Sequence, residues 1–102
     1  MPTHLQGHFI GGIFEMHDRF DWIDPKSEKV KPLKSIKVLV NNGDGTVTRE
    51  SISLPDGMAP PELQKDEAYV FQIVQPSYNR KKDEIRYTLL AGSVPFPAPV
   101  ID

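Results

Sequence analysis

Residues 35–54 read SIKVLVNNGDGTVTRESISL, and this stretch decides the fold class. Isoleucine or valine occupies alternate positions from Ile36 to Val40, which is the period of a β-strand with one buried face. The next five residues, 41–45, are only Asn, Asp and Gly, which tolerate positive φ, and alternation resumes from Thr46 to Leu54. We therefore predict a β-hairpin over Ser35–Leu54.

A second hairpin is predicted over Tyr69–Leu90. Apolar residues alternate in Tyr69–Val74 and again in Ile85–Leu90, whereas residues 76–83 between them are polar and basic and are typical of a turn. Most of the aromatic residues in or beside predicted strands suit a hydrophobic core. Those expected to be buried are Phe9, Phe14, Phe71 and Tyr87.

The residues before the first hairpin predict one strand and one irregular segment. Leu5–Met16 is rich in β-branched, aromatic and glycine residues, which favours a strand that bends, with curling and a bulge permitted by Gly7, Gly11 and Gly12. His17–Leu33 is polar and contains two X-Pro pairs, so it is expected to be a long loop or an irregular arm. Its apolar residues Phe20, Trp22 and Ile23 are unusual for a linker.

Two proline-containing segments complete the chain. In Ala59–Glu67, prolines precede good helix formers, which predicts one short helix. Residues 94–102 carry alternating prolines and are expected to be an extended tail. The predicted organisation is a β-barrel domain over residues 1–93 followed by that tail, with a mainly β fold of five strands in a small Greek-key barrel. The barrel is of the OB type, with an SH3-like barrel as the alternative.

Composition narrows the functional class. A chain of 102 residues suits one domain. It has no cysteine, which excludes thiol chemistry and favours the reducing cytoplasm. No apolar run approaches the roughly 18 residues of a membrane span, and we expect no signal peptide.

Motifs for catalysis or for a cofactor are missing from the sequence. There is no nucleophile elbow, phosphate-binding loop or dinucleotide fingerprint, so we expect neither an enzyme nor a bound cofactor. His4 and His8 lie four residues apart, a separation of roughly 13 Å on a strand, which is too long for one metal ion. No metal site is expected.

Basic residues interleaved with aromatic ones are the remaining signal. The net charge is −2, but residues 26–37 contain five lysines and one glutamate. Lys34 and Lys37 are expected on the strand face opposite Ile36, Val38 and Val40. Positive grooves with aromatic rings bind single-stranded nucleic acid, because phosphates meet the cations and bases stack on the rings. The candidate nucleic-acid-binding residues are Lys34, Lys37, Arg49, Tyr78, Arg80, Lys81, Lys82, Arg86 and Trp22.

This layout resembles two groups of proteins with an OB fold. A bent glycine-bearing first strand, a central hairpin, a short helical link and a basic, tyrosine-containing tip resemble the single-stranded DNA-binding proteins of filamentous bacteriophages and the primosomal OB-fold proteins of bacteria. The resemblance implies a cytoplasmic homodimer that coats single-stranded DNA, or RNA, during replication without sequence preference. Phosphates would then meet the basic candidates, and Tyr78 and Trp22 would stack on bases.

The alternative function is a protein-interaction or structural module of a phage or of a larger complex, with no binding of nucleic acid. Exposed strand edges, the apolar residues Phe20–Ile23 and the proline-rich tail 94–102 are all features that dock on protein partners. The two hypotheses differ in their salt dependence, because only contacts with phosphates release counterions.

Overall fold

A computed structural model describes residues 7–98, which form seven β-strands and no helix. The strands are β1 His8–Ile23, β2 Val30–Asn41, β3 Val47–Ser53, β4 Ala68–Ile73, β5 Ser77–Asn79, β6 Glu84–Thr88 and β7 Phe96–Pro97. The predicted mainly β class is therefore confirmed. Among these described residues there is no helix that is long and apolar enough to cross a membrane.

All seven strands belong to one mixed sheet, in the order β5-β6-β3-β2-β1-β4-β7. Neighbours are antiparallel except β3 and β6, which run parallel and pair through Ile52↔Tyr87 and Ser53↔Thr88. The sheet is open, so the predicted closure into a five-stranded barrel is not confirmed. One isolated bridge, Ile73↔Leu89, joins the end of β4 to the residue that follows β6.

The hairpin predicted over Ser35–Leu54 is confirmed. β2 and β3 pair antiparallel from Ser35↔Ser53 to Asn41↔Val47. The turn between them places Gly43 and Gly45 at positive φ, a backbone conformation that glycine adopts without steric cost.

The hairpin predicted over Tyr69–Leu90 is rearranged. β4 pairs with β1 through His8–Ile13 and meets the returning strand only at the Ile73–Leu89 bridge. The returning strand β6 pairs with β3 and with the short strand β5 instead. Pro76 lies where the chain leaves β4, and proline has no N–H to continue a ladder, so the basic segment folds back on itself as a hairpin of its own.

The loop or irregular arm expected at His17–Leu33 is instead a regular β-hairpin. β1 runs to Ile23 and β2 begins at Val30, with continuous register from Met16↔Lys37 to Ile23↔Val30. The Cα radius of gyration is 15.2 Å, above the roughly 13 Å of a compact 100-residue domain. A hairpin that extends beyond the core raises the radius of gyration above that of a compact domain.

β1 changes its pairing partner from β4 to β2 at Ile13. A Cβ atom at Gly12 would lie 3.0 Å from the Val38 Cβ and 3.1 Å from the Leu39 carbonyl oxygen, so glycine permits the close approach of β1 to β2. The register shifts between Phe14 and Met16. The bulge therefore falls at Glu15, and not at Gly7, Gly11 or Gly12. The strand begins at His8, and residues 5 and 6 of the predicted strand lie outside the described residues.

The short helix predicted in Ala59–Glu67 does not form. Proline disfavours the α conformation in the residue before it, and Pro60 and Pro61 together restrict two successive residues in this way. Gln64 donates its backbone N–H to the Tyr69 hydroxyl oxygen at 2.7 Å, so this N–H is not used in a helical turn.

Residues 96–98 of the predicted tail pair with the sheet, whereas Val94 and Pro95 lie outside any strand. β7 adds to the edge of β4 through Tyr69↔Pro97 and Val70↔Phe96. Ala98 continues this ladder by donating its N–H to the Ala68 carbonyl at 3.0 Å. Residues 99–102 of the predicted tail lie outside the described residues.

The core lies between the curved strands. It comprises the buried residues Phe14, Ile36, Val38, Ile52, Leu54, Phe71, Ile73 and Leu89. Phe14 and Phe71 confirm the sequence prediction, whereas Tyr87 is partly buried against this core and Phe9 is outside it, since Ile10 packs there instead. Fully burying one such side chain contributes about 1.5–3 kcal/mol, so these residues dominate the stability of the domain.

Candidate nucleic-acid interface

Two hairpins extend from the core and carry most of the predicted site. The first, here called the arm, comprises residues 17–34, the paired outer ends of β1 and β2. The second, the tip hairpin, comprises residues 77–86, in which β5 and β6 pair from Ser77↔Arg86 to Asn79↔Glu84. The candidate Trp22 lies in the arm, and Tyr78, Arg80, Lys81 and Lys82 lie in the tip hairpin.

The turn of the arm is fixed by Asp24. Its carboxylate accepts the Lys26 backbone N–H at 2.9 Å and the Ser27 hydroxyl at 3.0 Å, and these hydrogen bonds lower the pKa of Asp24 below its usual 3.8. Glu28 adopts the left-handed conformation, with φ of 56°, and its N–H donates to the Asp24 carbonyl. This local network holds the two strands of the arm together at their far end.

One face of the arm carries exposed aromatic rings. Phe20 is paired with Leu33 and Trp22 with Lys31, and residues two apart on a strand point to the same side. Phe20 is 63% exposed and Trp22 43% exposed. The arm therefore presents two neighbouring aromatic side chains, with apolar Leu33 and the cation Lys31 opposite them.

The tip hairpin presents a third aromatic ring. Tyr78 is 58% exposed and lies opposite Ile85, which is also exposed. The Tyr78 hydroxyl donates a hydrogen bond to the Asp83 carboxylate, and this bond raises the pKa of Tyr78 above 10.0. The bond fixes the outer end of the tyrosine side chain next to the turn.

Cations surround this tyrosine. Arg80, Lys81 and Lys82 form the exposed turn, and the Asn79 side chain accepts the backbone N–H groups of Lys81 and Lys82 at 3.1 and 3.4 Å. None of the three has a carboxylate within ion-pair distance among the residues 7–98. Arg86 likewise lacks an ion pair there, and it lines a shallow groove with Tyr78 and Arg80.

The tip hairpin and β3 enclose a larger groove of about 610 Å³, in which charges of both signs meet. Arg49 and Arg86, two predicted contacts, lie in the same groove wall as three carboxylates. Those acids are Glu50, Asp83 and Glu84. The groove itself is thus not positive, and the unpaired positive charge lies at the exposed turn beside it.

Two other predicted contact residues, Arg49 and Lys37, form ion pairs with carboxylates of β1. The Arg49 guanidinium lies 2.6 Å from a Glu15 carboxylate oxygen. The Lys37 ammonium donates to the Ser51 hydroxyl at 3.2 Å and lies 3.8 Å from the Asp18 carboxylate. Both cations are partly neutralised, so the structure does not bring them together with the tip hairpin as one unpaired positive stripe.

Lys34 lies on a different face from the one expected. The sequence predicts Lys34 on the same face as Lys37, but residues 34 and 36 are two apart, so Lys34 points to the same side of β2 as the buried Ile36. Lys34 is half-buried at the base of the arm, where it lines a groove of about 350 Å³ with Leu54 and Met58.

Phe20, like Trp22, is a candidate stacking ring from the sequence, because the residues around both rings are polar. Leu33 and Ile85 are not among the residues expected in the site. They have no such signal, because only pairing in the folded sheet places them opposite Phe20 and Tyr78.

Comparison of the chain with protein-family models, curated proteins and solved structures finds no match. Across residues 7–98, no three His, Asp or Glu side chains converge as the ligands of a metal ion would. The interpretation of the two hairpins therefore depends on their own geometry and charge.

Proposed function

We propose that this protein binds single-stranded DNA without sequence preference. One observation carries the proposal: two projecting hairpins expose Phe20, Trp22 and Tyr78, and the second hairpin adds a turn of three cations with no ion-pair partner in the described chain. Stacking of one base on an aromatic side chain contributes about 1–3 kcal/mol, and cations hold the phosphates. Rings and cations occur together at the tip hairpin.

The strand pairing supports an OB-type arrangement. β1, β2 and β3 pair in succession, β3 is parallel to β6, and β4 is antiparallel to β1. Leu89 connects β3 to β4, since its N–H donates to the Ser53 carbonyl of β3 at 2.8 Å and it forms the bridge to Ile73 of β4. In OB folds the connections after the first and fourth strands contact the ligand. Here those connections are the arm and the tip hairpin.

The acidic net charge is compatible with this function. Asp24 is bound within its turn, and Glu15, Asp18 and Asp56 each lie within 4 Å of a cation. Near the end of the arm, Lys26 and Lys29 are exposed and form no ion pair within the described residues. Local positive potential at both hairpins, not the sum over the chain, determines attraction to phosphates.

An oligonucleotide titration tests the proposal directly. Trp22 is the single tryptophan, so stacking on its ring reports as quenching of tryptophan fluorescence. Adding poly-dT at low salt is expected to quench this fluorescence, with an affinity that falls steeply as salt is raised. A Trp22→Phe control, followed by mobility shift, should still bind. Unchanged fluorescence together with no mobility shift of the wild type would overturn the proposal.

A protein-interaction role is the second candidate, and the apolar surface of the arm favours it. Ile23 and Val30 lie opposite each other at the end of the arm and are both more than half exposed. Exposed apolar residues grouped in this way are typical of surfaces that contact other proteins. Binding to a protein would persist at high salt, which distinguishes it from binding to DNA.

A further inference from the structure

The base of the arm, where it meets the chain that follows β3, encloses two adjoining grooves. The first is the groove of about 350 Å³ beside Lys34 and Met58, and the second, of about 160 Å³, lies next to His17 and Pro60. Lys34 and Leu54 line both, so the grooves meet at these residues. The larger one alone has the volume of a small-molecule site, about 300–1,000 Å³. The two grooves together are here called the arm cleft.

Lys34 brings a positive charge into the arm cleft. Its side chain is half-buried, and no carboxylate within residues 7–98 lies at ion-pair distance from its ammonium group. Arg19, the residue directly opposite Lys34 in the strand pairing, is a second cation and supplies no counter-charge. Because a partly buried charge without a partner loses favourable hydration, this position favours the binding of an anion.

The carboxylates near the arm cleft are each paired with a different cation. The three pairs are Asp56 with Lys31 at 2.9 Å, Asp21 with Arg19 at 3.0 Å and Asp18 with Lys37 at 3.8 Å. The charge of Lys34 is therefore the one that a ligand can balance. The His17 imidazole, whose ring packs on Phe14 with 4.8 Å between centroids, lines the same cleft and adds an N–H donor.

The walls beside Lys34 are apolar. Leu54 belongs to the buried core and Met58 packs against that core, while Pro32 and Pro55 line the same groove. The backbone donors of this wall are already used, since the Leu54 N–H donates to the Lys34 carbonyl and the Met58 N–H to the Pro55 carbonyl. A ligand that fits the cleft therefore combines one anionic group with an apolar body.

A carboxylate matches this site better than a phosphate does. A phosphate monoester carries a charge of about −1.5 to −2 at pH 7 and three acceptor oxygens, which is more than one unpaired lysine and an imidazole balance. A carboxylate carries a single negative charge, and a lysine ammonium forms a charge-assisted hydrogen bond with it.

We propose that the arm cleft binds a small organic carboxylate. Its carboxylate pairs with the Lys34 ammonium and accepts a hydrogen bond from His17, and its apolar chain lies along Leu54 and Met58. The bound molecule connects the arm to residues 54–60. Trp22 points to the opposite face of the arm, because residue 22 pairs with residue 31, which is an odd number of residues from Lys34.

A series of simple ligands tests the site on the unmodified chain. Acetate, hexanoate, octanoate and octylammonium are titrated into the ¹⁵N-labelled protein and followed by two-dimensional NMR. Octanoate should shift the amide signals of Ser35, Leu54 and Met58 and leave those of Trp22 and Tyr78 in place. Affinity should rise from acetate to octanoate, by up to about fourfold for each methylene that becomes buried. Octylammonium, with the same chain and the opposite charge, should not shift these signals.

A matched pair of variants tests the role of the lysine. Lys34→Gln removes the charge-assisted hydrogen bond and should lower the affinity for octanoate about tenfold. Lys65→Gln removes an exposed lysine that has no ion pair in the described part of the chain, and it should bind octanoate as the wild type does. Unchanged amide signals outside the cleft show that Lys34→Gln is folded.

Four results would overturn the inference. These are no shift at the cleft with octanoate, equal binding of octanoate and octylammonium, a Lys34→Gln variant with wild-type affinity, and shifts confined to the face of the arm that carries Trp22. None of these titrations contains DNA, and the proposed DNA contacts are the exposed rings and the tip hairpin. Failure here is thus distinct from failure of the proposed function.

Discussion

At the scale of single residues, the hydrogen bond between Tyr78 and Asp83 makes the stability of the tip hairpin depend on pH. The hydrogen bond from the Tyr78 hydroxyl stabilises the neutral form, so the pKa of Tyr78 is raised. A group whose pKa is raised on folding contributes stability below its unfolded pKa and loses it as pH rises through the folded pKa. The tip hairpin should therefore loosen above about pH 10.

Removing the acceptor tests this pairing. Asp83 has φ of 49°, so Asp83→Gly deletes the carboxylate without adding strain, and the pKa of Tyr78 should fall toward 10.0. An ultraviolet titration of tyrosinate measures the change. The chain has three tyrosines, and Tyr78→Phe identifies which signal belongs to Tyr78. Identical titrations for Asp83→Gly and the wild type would show that the hydrogen bond is not formed in solution.

The core makes a second prediction at this scale. Phe71 is fully buried, so Phe71→Ala should lower the free energy of unfolding by about 3–5 kcal/mol, measured by urea denaturation. Phe20→Ala removes the same atoms from an exposed ring and should cost less than about 1 kcal/mol. Equal losses for the two variants would contradict the assignment of core and surface.

Which residues are buried could be predicted where alternation is strict. Ile36, Val38 and Phe71 follow the two-residue period and are buried, as expected. The environment of Arg49 could not be predicted, because its partner Glu15 is 34 residues away in the chain and lies at the bulge in β1. Contacts of this kind depend on the register between strands, which single-sequence patterns do not specify.

At the scale of elements, the path of β1 depends on one glycine. A Cβ atom at Gly12 would contact the Val38 Cβ at 3.0 Å, whereas one at Gly11 would lie 3.9 Å from its nearest neighbour, the Tyr69 carbonyl oxygen. Gly12→Ala should therefore cost about 1–3 kcal/mol through overpacking. Gly11→Ala, the matched control, should be close to neutral by urea denaturation. A neutral Gly12→Ala would mean that β1 and β2 are not so close.

The arm explains why the elements were only partly predictable. His17–Leu33 has polar residues and two prolines, which in isolation favour a loop. In the folded chain both of its halves continue strands that are already paired, so pairing them closes no new loop between distant residues. The helix expected before β4 does not form, because its two prolines restrict the residues before them and Gln64 donates its backbone N–H to the Tyr69 hydroxyl oxygen.

At the scale of the whole molecule, the proposed function depends on how charge is distributed. Acids outnumber bases, 14 to 12, yet the turn of the tip hairpin keeps three cations without ion-pair partners in the described chain. The sequence allowed the prediction of these cations and of Trp22 as site residues. It did not distinguish them from Lys37 and Arg49, which the fold pairs with carboxylates.

Salt dependence of DNA binding tests this account most directly. Wild type, Arg80→Gln/Lys81→Gln/Lys82→Gln and the exposed control Lys65→Gln are titrated with poly-dT at a series of salt concentrations. Losing three phosphate contacts should reduce the slope of log affinity against log salt by about 2, while Lys65→Gln keeps the wild-type slope. A triple variant with the wild-type slope, or a wild type whose affinity does not change with salt, would contradict DNA binding through the cations of the tip hairpin.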